Sequence, residues 1–229
     1  MVAEGTISLD PGNEFFRSVR DTQISGTPGM FISTQPDSHR TMGRIVSFTH
    51  VSIDGFFAGP KGEIDWFKHQ DDEDRQFSAE ASRGSGTLIF GRTTYEMMAG
   101  YWPSLDAARD NPDVAEAMNR TPKIVFSRTL NPVKDSPSWK NIRIIREIRR
   151  EEILKLKREA TGDFAILGSG SIVQQLAGLG LIDEFQLMVN PVILGSGKYL
   201  FRDVNRMNLR LLEERTFGNG RVFLRYAPV

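Results

Sequence analysis

Gly91-Arg92-Thr93-Thr94-Tyr95-Glu96, Ser127-Arg128-Thr129 and Gly168-Ser169-Gly170-Ser171 each stand directly behind an apolar run. The runs are Thr87-Leu88-Ile89-Phe90, Lys123-Ile124-Val125-Phe126 and Phe164-Ala165-Ile166-Leu167. Short, continuous apolar runs of this kind read as strands buried on both faces, the mark of a parallel sheet. Each is followed by glycine, hydroxyl or guanidinium groups where the chain must turn, and two of the three turns have a helical pattern behind them. In an open α/β sheet, the turns at the carboxyl ends of the strands are where phosphorylated ligands are held. Three such turns, one with an additional arginine, point to a phosphorylated dinucleotide.

Outward from these turns the pattern stays α/β. Ile45–Thr49 reads as a first strand, followed by a Gly/Pro loop at 55–62 and a helix that opens on Asp71-Asp72-Glu73 and reaches Ser82. Helices are expected at 94–100, 112–119, 150–159 and 171–178, strands at 123–127, 142–145 and 163–167, and a loop at Pro132, Pro137 and Trp139. The ending changes character: 184–194, 207–216 and 221–226 read as strands with no helix between them, and Gly218-Asn219-Gly220 reads as a hairpin turn. The expected fold is therefore α/β, with a central mixed, mostly parallel sheet, helices on both faces and an antiparallel C-terminal hairpin. Residues 1–41 are rich in Gly, Pro, Ser, Thr, Gln and Asp and read as a flexible N-terminal extension ahead of a folded domain at 42–229.

Composition narrows the function. In 229 residues, Lys+Arg and Asp+Glu both total 29, so no excess of positive charge speaks for nucleic acid or an anionic membrane. The absence of cysteine removes thiolate nucleophiles, disulfides and Cys-ligated metals. No apolar run approaches the roughly 20 residues that span a bilayer, and no signal-peptide pattern opens the chain. A soluble protein in a reducing cytoplasm is expected. His39, His50 and His69 show no metal-ligand spacing, so no metal is expected, and no Gly-x-Ser-x-Gly elbow of a serine hydrolase is present.

Each turn also has an ordinary reading. Gly91 permits close backbone approach, Thr93 or Thr94 can cap a helix, and Arg92 adds a bidentate donor for phosphate or is simply solvated. Arg128, beside Ser127, can pair with the 2′-phosphate that separates NADP from NAD, or lie free on a loop. The paired glycines of Gly168-Ser169-Gly170-Ser171-Ile172 let a pyrophosphate approach the backbone, although the third glycine of the dinucleotide fingerprint is missing. A second cluster, Asp54-Gly55 with Glu63-Ile64-Asp65-Trp66, offers carboxylates for proton delivery and an aromatic wall. Asp54 equally suits a turn before glycine, and Glu63 and Asp65 equally suit solvated loop charge.

The order and spacing of these motifs resemble the dihydrofolate reductase superfamily. Val51-Ser52-Ile53-Asp54-Gly55-Phe56-Phe57-Ala58 and Asn190-Pro191-Val192-Ile193-Leu194-Gly195-Ser196-Gly197 more narrowly resemble the reductase domain of the bifunctional riboflavin-biosynthesis deaminase/reductase and its stand-alone bacterial relatives. The resemblance covers about residues 44–226. It implies a three-layer dihydrofolate reductase-like fold, NADPH as cofactor, a pyrimidine- or pteridine-type heterocycle as substrate, and a homodimer. It further implies that Gly91, Arg92 and Thr94 hold cofactor phosphates, that Ser127 and Arg128 face the 2′-phosphate, and that Gly168 to Ile172 hold the pyrophosphate. Trp66 falls where the riboflavin reductase has a tryptophan near the cofactor. Gly168 stands where that enzyme has a substrate-binding glutamate, and no zinc-binding deaminase residues are read here. Asp65 is the expected proton donor, with Glu63 or an acid at 71–74 as alternatives, and Asp54 is expected to orient. The competing expectation is a nucleotide-binding sensor without turnover.

Overall fold

The computed structural model describes residues 42–67, 71–82, 86–130, 139 and 141–229. The expected extension at 1–41, the loop markers Pro132 and Pro137, and His39 and His69 lie outside them. The chain order is β1 (Ile45–Ser52), β2 (Phe56–Ala58), a 3-10 turn (Asp65–Phe67), α1 (Asp72–Ser82), β3 (Thr87–Gly91), α2 (Arg92–Tyr101), α3 (Leu105–Asp110), α4 (Pro112–Arg120), β4 (Lys123–Phe126) and β5 (Ile142–Ile145). It continues with α5 (Arg150–Glu159), β6 (Phe164–Leu167), α6 (Gly170–Gly178), β7 (Glu184–Asn190), β8 (Lys198–Tyr199), β9 (Leu209–Thr216) and β10 (Val222–Pro228).

Eight strands form one sheet in the order β5-β4-β3-β6-β1-β7-β10-β9. The first six run parallel, and β10 is antiparallel to both β7 and β9. The expected mixed sheet and C-terminal hairpin are both present. Alternation along the strands separates the two faces. Phe164 and Ile166 of β6 join Ile153 of α5 and Ile172, Val173 and Leu176 of α6 in one core. Ala165 and Leu167 face the other way, into a core with Tyr95 of α2 and Met118 of α4. On that second face, Phe77 of α1 packs with Met188, Phe217 and Phe223. Helices thus cover both faces, as expected.

Three departures are local. The Gly/Pro loop at 55–62 contains β2, which pairs with β8 in a two-stranded ribbon. The strand expected over 184–194 ends at Asn190, just before Pro191, which has no N–H for a ladder. Between α2 and α4 stands α3, capped by Ser104, whose Oγ accepts from Ala107 N–H.

Strand order positions the site. From β3 the chain steps outward to β4 and β5, then returns with β6 between β3 and β1, and α6 carries it past β1 to β7. Because these strands are parallel, the turns after β1, β3, β4 and β6 gather at one end of the sheet, beside the point where the order reverses.

Candidate functional site

The turns after β3 and β6 are tied together. Gly91 N–H donates to Ser169 Oγ at 2.8 Å, a buried bond across 78 positions. Ser169 has φ 53°, a left-handed conformation that costs a non-glycine residue energy and is kept where surroundings enforce it. Gly168, at φ 63°, donates its N–H to Phe48 O of β1 at 3.0 Å. The first N–H groups of a helix lack carbonyl partners one turn back; at α6, Ile172 N–H closes on Ser169 O at 2.7 Å. A Cβ on Gly168 would meet only the Thr94 methyl at 3.8 Å, so open space lies between these two turns. Thr94 and the N-terminus of α6 stand on either side of that opening. Gly170 serves another purpose. A Cβ there would overlap the ring of Phe57, so this glycine makes room for an aromatic side chain. Ile172 is buried, and a Cβ added at Gly91 would stand 3.3 Å from its Cγ1, a tight fit for any larger residue there.

The turn after β4 joins the same end through Arg92. Its Nε donates to Glu96 Oε1 at 2.8 Å and its Nη1 to Thr129 Oγ1 at 2.9 Å. Thr93 is exposed beside it. Ser127 is buried and its Oγ accepts from Leu130 N–H at 2.9 Å, closing the turn on itself. Arg128 is exposed, and among the described residues its guanidinium has no partner. Of the two arginines expected near phosphate, Arg92 has a carboxylate beside it and Arg128 does not.

The carboxylates separate by partner. Asp54 accepts from Leu194 N–H at 3.1 Å with one oxygen and from Gly195 N–H at 2.8 Å with the other. The Ser52 hydroxyl, then these backbone N–H groups, hold its carboxyl below the usual carboxylate range. It fastens the 191–195 loop to the end of β1. Glu63 accepts from Lys61 N–H at 2.8 Å. Asp74 is buried in an ion pair with Arg221, and Glu73 accepts from Gly218 N–H at 3.0 Å. Asp71 accepts from Asp74 N–H and from Asn219. These acids of the 71–74 cluster bind α1 to the β9–β10 turn. Asp65 is exposed, and among the described residues it carries no hydrogen bond.

Trp66 connects to the glycine turn through rings along β1. Its indole N–H donates to Glu63 O at 3.2 Å, and it meets Phe67 edge-on at 4.7 Å. Phe67 stacks on His50 at 4.3 Å and 8°. His50 in turn meets Phe48 edge-on at 5.3 Å, and Phe48 O accepts from Gly168 N–H. His50 was not among the expected site residues. Burial, then the nearby Arg221 charge, push its pKa down to about 4, against the opposing Asn190 hydrogen bond. Asn190 Nδ2 stands 3.4 Å from His50 Nδ1. The same Nδ2 donates to Met188 O at 2.9 Å and Val51 O at 3.2 Å. Arg221 also donates to Phe67 O at 2.9 Å, fixing the stacked ring. The signal that could have found His50 is alternation: Phe48 and His50 lie on one face of β1, and Met188, paired with His50, belongs to the same aromatic core.

Among the described residues, no group of three or more His, Asp or Glu side chains is placed to hold a metal, and no helix is long and apolar enough to cross a membrane. A model of the RibD C-terminal domain family matches residues 44–223. The uncharacterized protein YyaP of Bacillus subtilis is 34% identical over 184 residues, covering 80% of this chain and 94% of the relative. RibD of Acinetobacter baumannii is similar in fold, with a TM-score of 0.58 and 17% identity, over 82% of this chain and 58% of that one. A dihydrofolate reductase of Enterococcus faecalis complexed with NADP(H) has a TM-score of 0.54 at 17% identity, over 81% of this chain and 96% of its own.

Proposed function

The chain belongs to the RibD C-terminal domain family, a reductase-like family, and on that premise we propose that it is an NADPH-dependent reductase of a pyrimidine- or pteridine-type heterocycle. The observation that carries the reading is the Gly91–Ser169 hydrogen bond, which sets two phosphate-type turns side by side at the switch point of the sheet. Thr93 and Thr94 at the start of α2, and Ser169, Gly170 and Ser171 at the start of α6, would hold the diphosphate through backbone N–H and hydroxyl groups, while Gly91, Gly168 and Ile172, whose N–H groups go to Ser169 Oγ, Phe48 O and Ser169 O, would shape the turns around it. Ser127 and Arg128 would face the 2′-phosphate, with Arg92 bracing their turn through Thr129.

When bound, NADPH supplies the hydride. The chain's own part is to bind, orient and protonate. Trp66, Phe67 and Phe48 form an aromatic wall against which a flat heterocycle stacks. His50, neutral at physiological pH, would offer an uncharged ring beside Phe67. Asp65 is the carboxylate left free to relay a proton, and Asp54 orients indirectly by holding the 191–195 loop.

The test is NADPH consumption by the full chain across a panel of pyrimidine and pteridine compounds. Steady turnover with at least one is expected, and Asp65→Asn should keep NADPH binding while turnover falls by the ~10²–10⁴ typical of a lost general acid. Saturable NADPH binding with no turnover in either class would favour a nucleotide-binding protein instead. Unchanged turnover in Asp65→Asn would move the proton to Glu63 or water.

A further inference from the structure

Among the described residues, one charge at the end of β5 has no counterion. Arg146 follows the last residue of that strand. Its Nη1 donates to Ser127 O at 3.1 Å, Arg128 O at 3.2 Å and Leu130 O at 2.7 Å. It also lines an open cavity of about 340 Å³ together with Arg143, Glu147, Arg149 and Glu152. Two of these arginines have carboxylate partners: Arg149 bonds Glu147 at 2.6 Å, and Arg143 lies 3.9 Å from Glu152. Arg92 likewise has Glu96. Among the described residues, Arg128 and Arg146 have none.

We propose that Arg146 is a positioning residue that sets preference for the 2′-phosphorylated cofactor by gathering the carbonyls of the Ser127–Leu130 turn to itself. This rests on the NADPH reading above. Carbonyl oxygens repel a phosphate. Drawing three of them to one guanidinium removes that repulsion from the outer side of the turn, where Arg128 is exposed. The same guanidinium adds a positive charge, which among the described residues no carboxylate cancels, a few ångströms behind the Arg128 backbone. A 2′-phosphate is close to a dianion and gains from both effects; the 2′-hydroxyl of NADH gains from neither. Lysine would keep the charge and three donors on one nitrogen, but its side chain is one bond shorter, which sets the ammonium back from the turn, so it would hold fewer of the three carbonyls that Nη1 reaches.

The experiment measures dissociation constants of NADPH and NADH by fluorescence titration for the wild type, Arg146→Gln and Arg146→Lys, with 2′-AMP and 5′-AMP as competitors. The wild type should prefer NADPH and be displaced better by 2′-AMP. Arg146→Gln should weaken NADPH about tenfold or more while NADH stays within about twofold, and should erase the preference for 2′-AMP. Arg146→Lys should fall between. Equal weakening of both cofactors, or an unchanged ratio, would make Arg146 a scaffold residue and overturn the inference. Should Arg146→Gln fail to fold, Arg146→Lys decides: a ratio equal to wild type overturns it. A wild type that binds NADPH no better than NADH, or neither, overturns the cofactor reading itself and the inference with it, a failure visible before any variant is made.

Discussion

Replacing His50 by phenylalanine should flatten the acid side of the stability curve, and the size of the effect follows from the structure. In the unfolded chain the imidazole takes its proton near pH 6.5; in the fold, stacked on Phe67 with Arg221 nearby, it does so only near pH 4. A lowered folded-state pKa in a base means that the unfolded chain binds more protons between those values, so stability falls as pH falls. Above about pH 6.5 both states hold a neutral ring and the stability is whole. It declines on the way down to about pH 4 and is then lost in full. At about 1.4 kcal/mol per pH unit the ceiling is about 3.4 kcal/mol, and the partial exposure of His50 reduces this to about 2–3 kcal/mol. Phenylalanine keeps the ring stack and cannot take a proton. Urea unfolding of both proteins at about pH 7.5 and about pH 4.5 reads the effect as a difference of differences, in which the shared carboxylates cancel. The lost Asn190 contact shifts the variant's curve vertically and leaves its slope alone. Parallel curves for the two proteins would refute the reasoning, and with it the neutral imidazole proposed beside Phe67.

Other perturbations reach other parts of the fold. Asp74→Ala strands the buried Arg221 guanidinium and should cost about 3–5 kcal/mol in urea unfolding, whereas Asp72→Ala, on the exposed pair with Arg75, should change nothing measurable. Gly170→Ala should cost about 1–3 kcal/mol by overpacking against Phe57, and adding Phe57→Leu should recover part of that loss; simple additivity of the two changes would show that the ring is not the obstacle. Arg128→Ala should weaken NADPH binding about tenfold and leave NADH unchanged, with equal loss for both speaking against a 2′-phosphate contact.

Much of the architecture could be read from the chain because its signals are local. The strands β3, β4 and β6 are continuous apolar runs ended by glycine or serine, and the β9–β10 turn declares itself as Gly218-Asn219-Gly220. What could not be read depends on pairings between distant residues. Nothing near Gly91 announces that its N–H will meet Ser169, and nothing near Asp54 announces the amides of Leu194 and Gly195. Asp74 looks like one more acid at a helix start until Arg221 is placed beside it, 147 positions later. Gly170 reads as a phosphate-type glycine, but its neighbour Phe57 comes from a two-stranded ribbon whose three and two residues are too few for a periodic signal. His50 escaped because ligand spacing was the criterion applied to histidine, and alternation along β1, which marks it, was not.

The central place of β1 sets a timetable for the chain. Its two neighbours, β6 and β7, are supplied by residues 164–190, so an apolar strand made early has no hydrogen-bonding partner in the sheet until most of the chain exists. At ribosomal rates of about 5–20 residues per second, that interval is about 6–28 s. During it, Ile45–Ser52 presents two open edges to any other nascent strand, while β3, β4 and α2 to α4 can already pair locally. Folding of this protein should therefore be limited by the late arrival of β6 between β3 and β1, a long-range closure that topology makes slow.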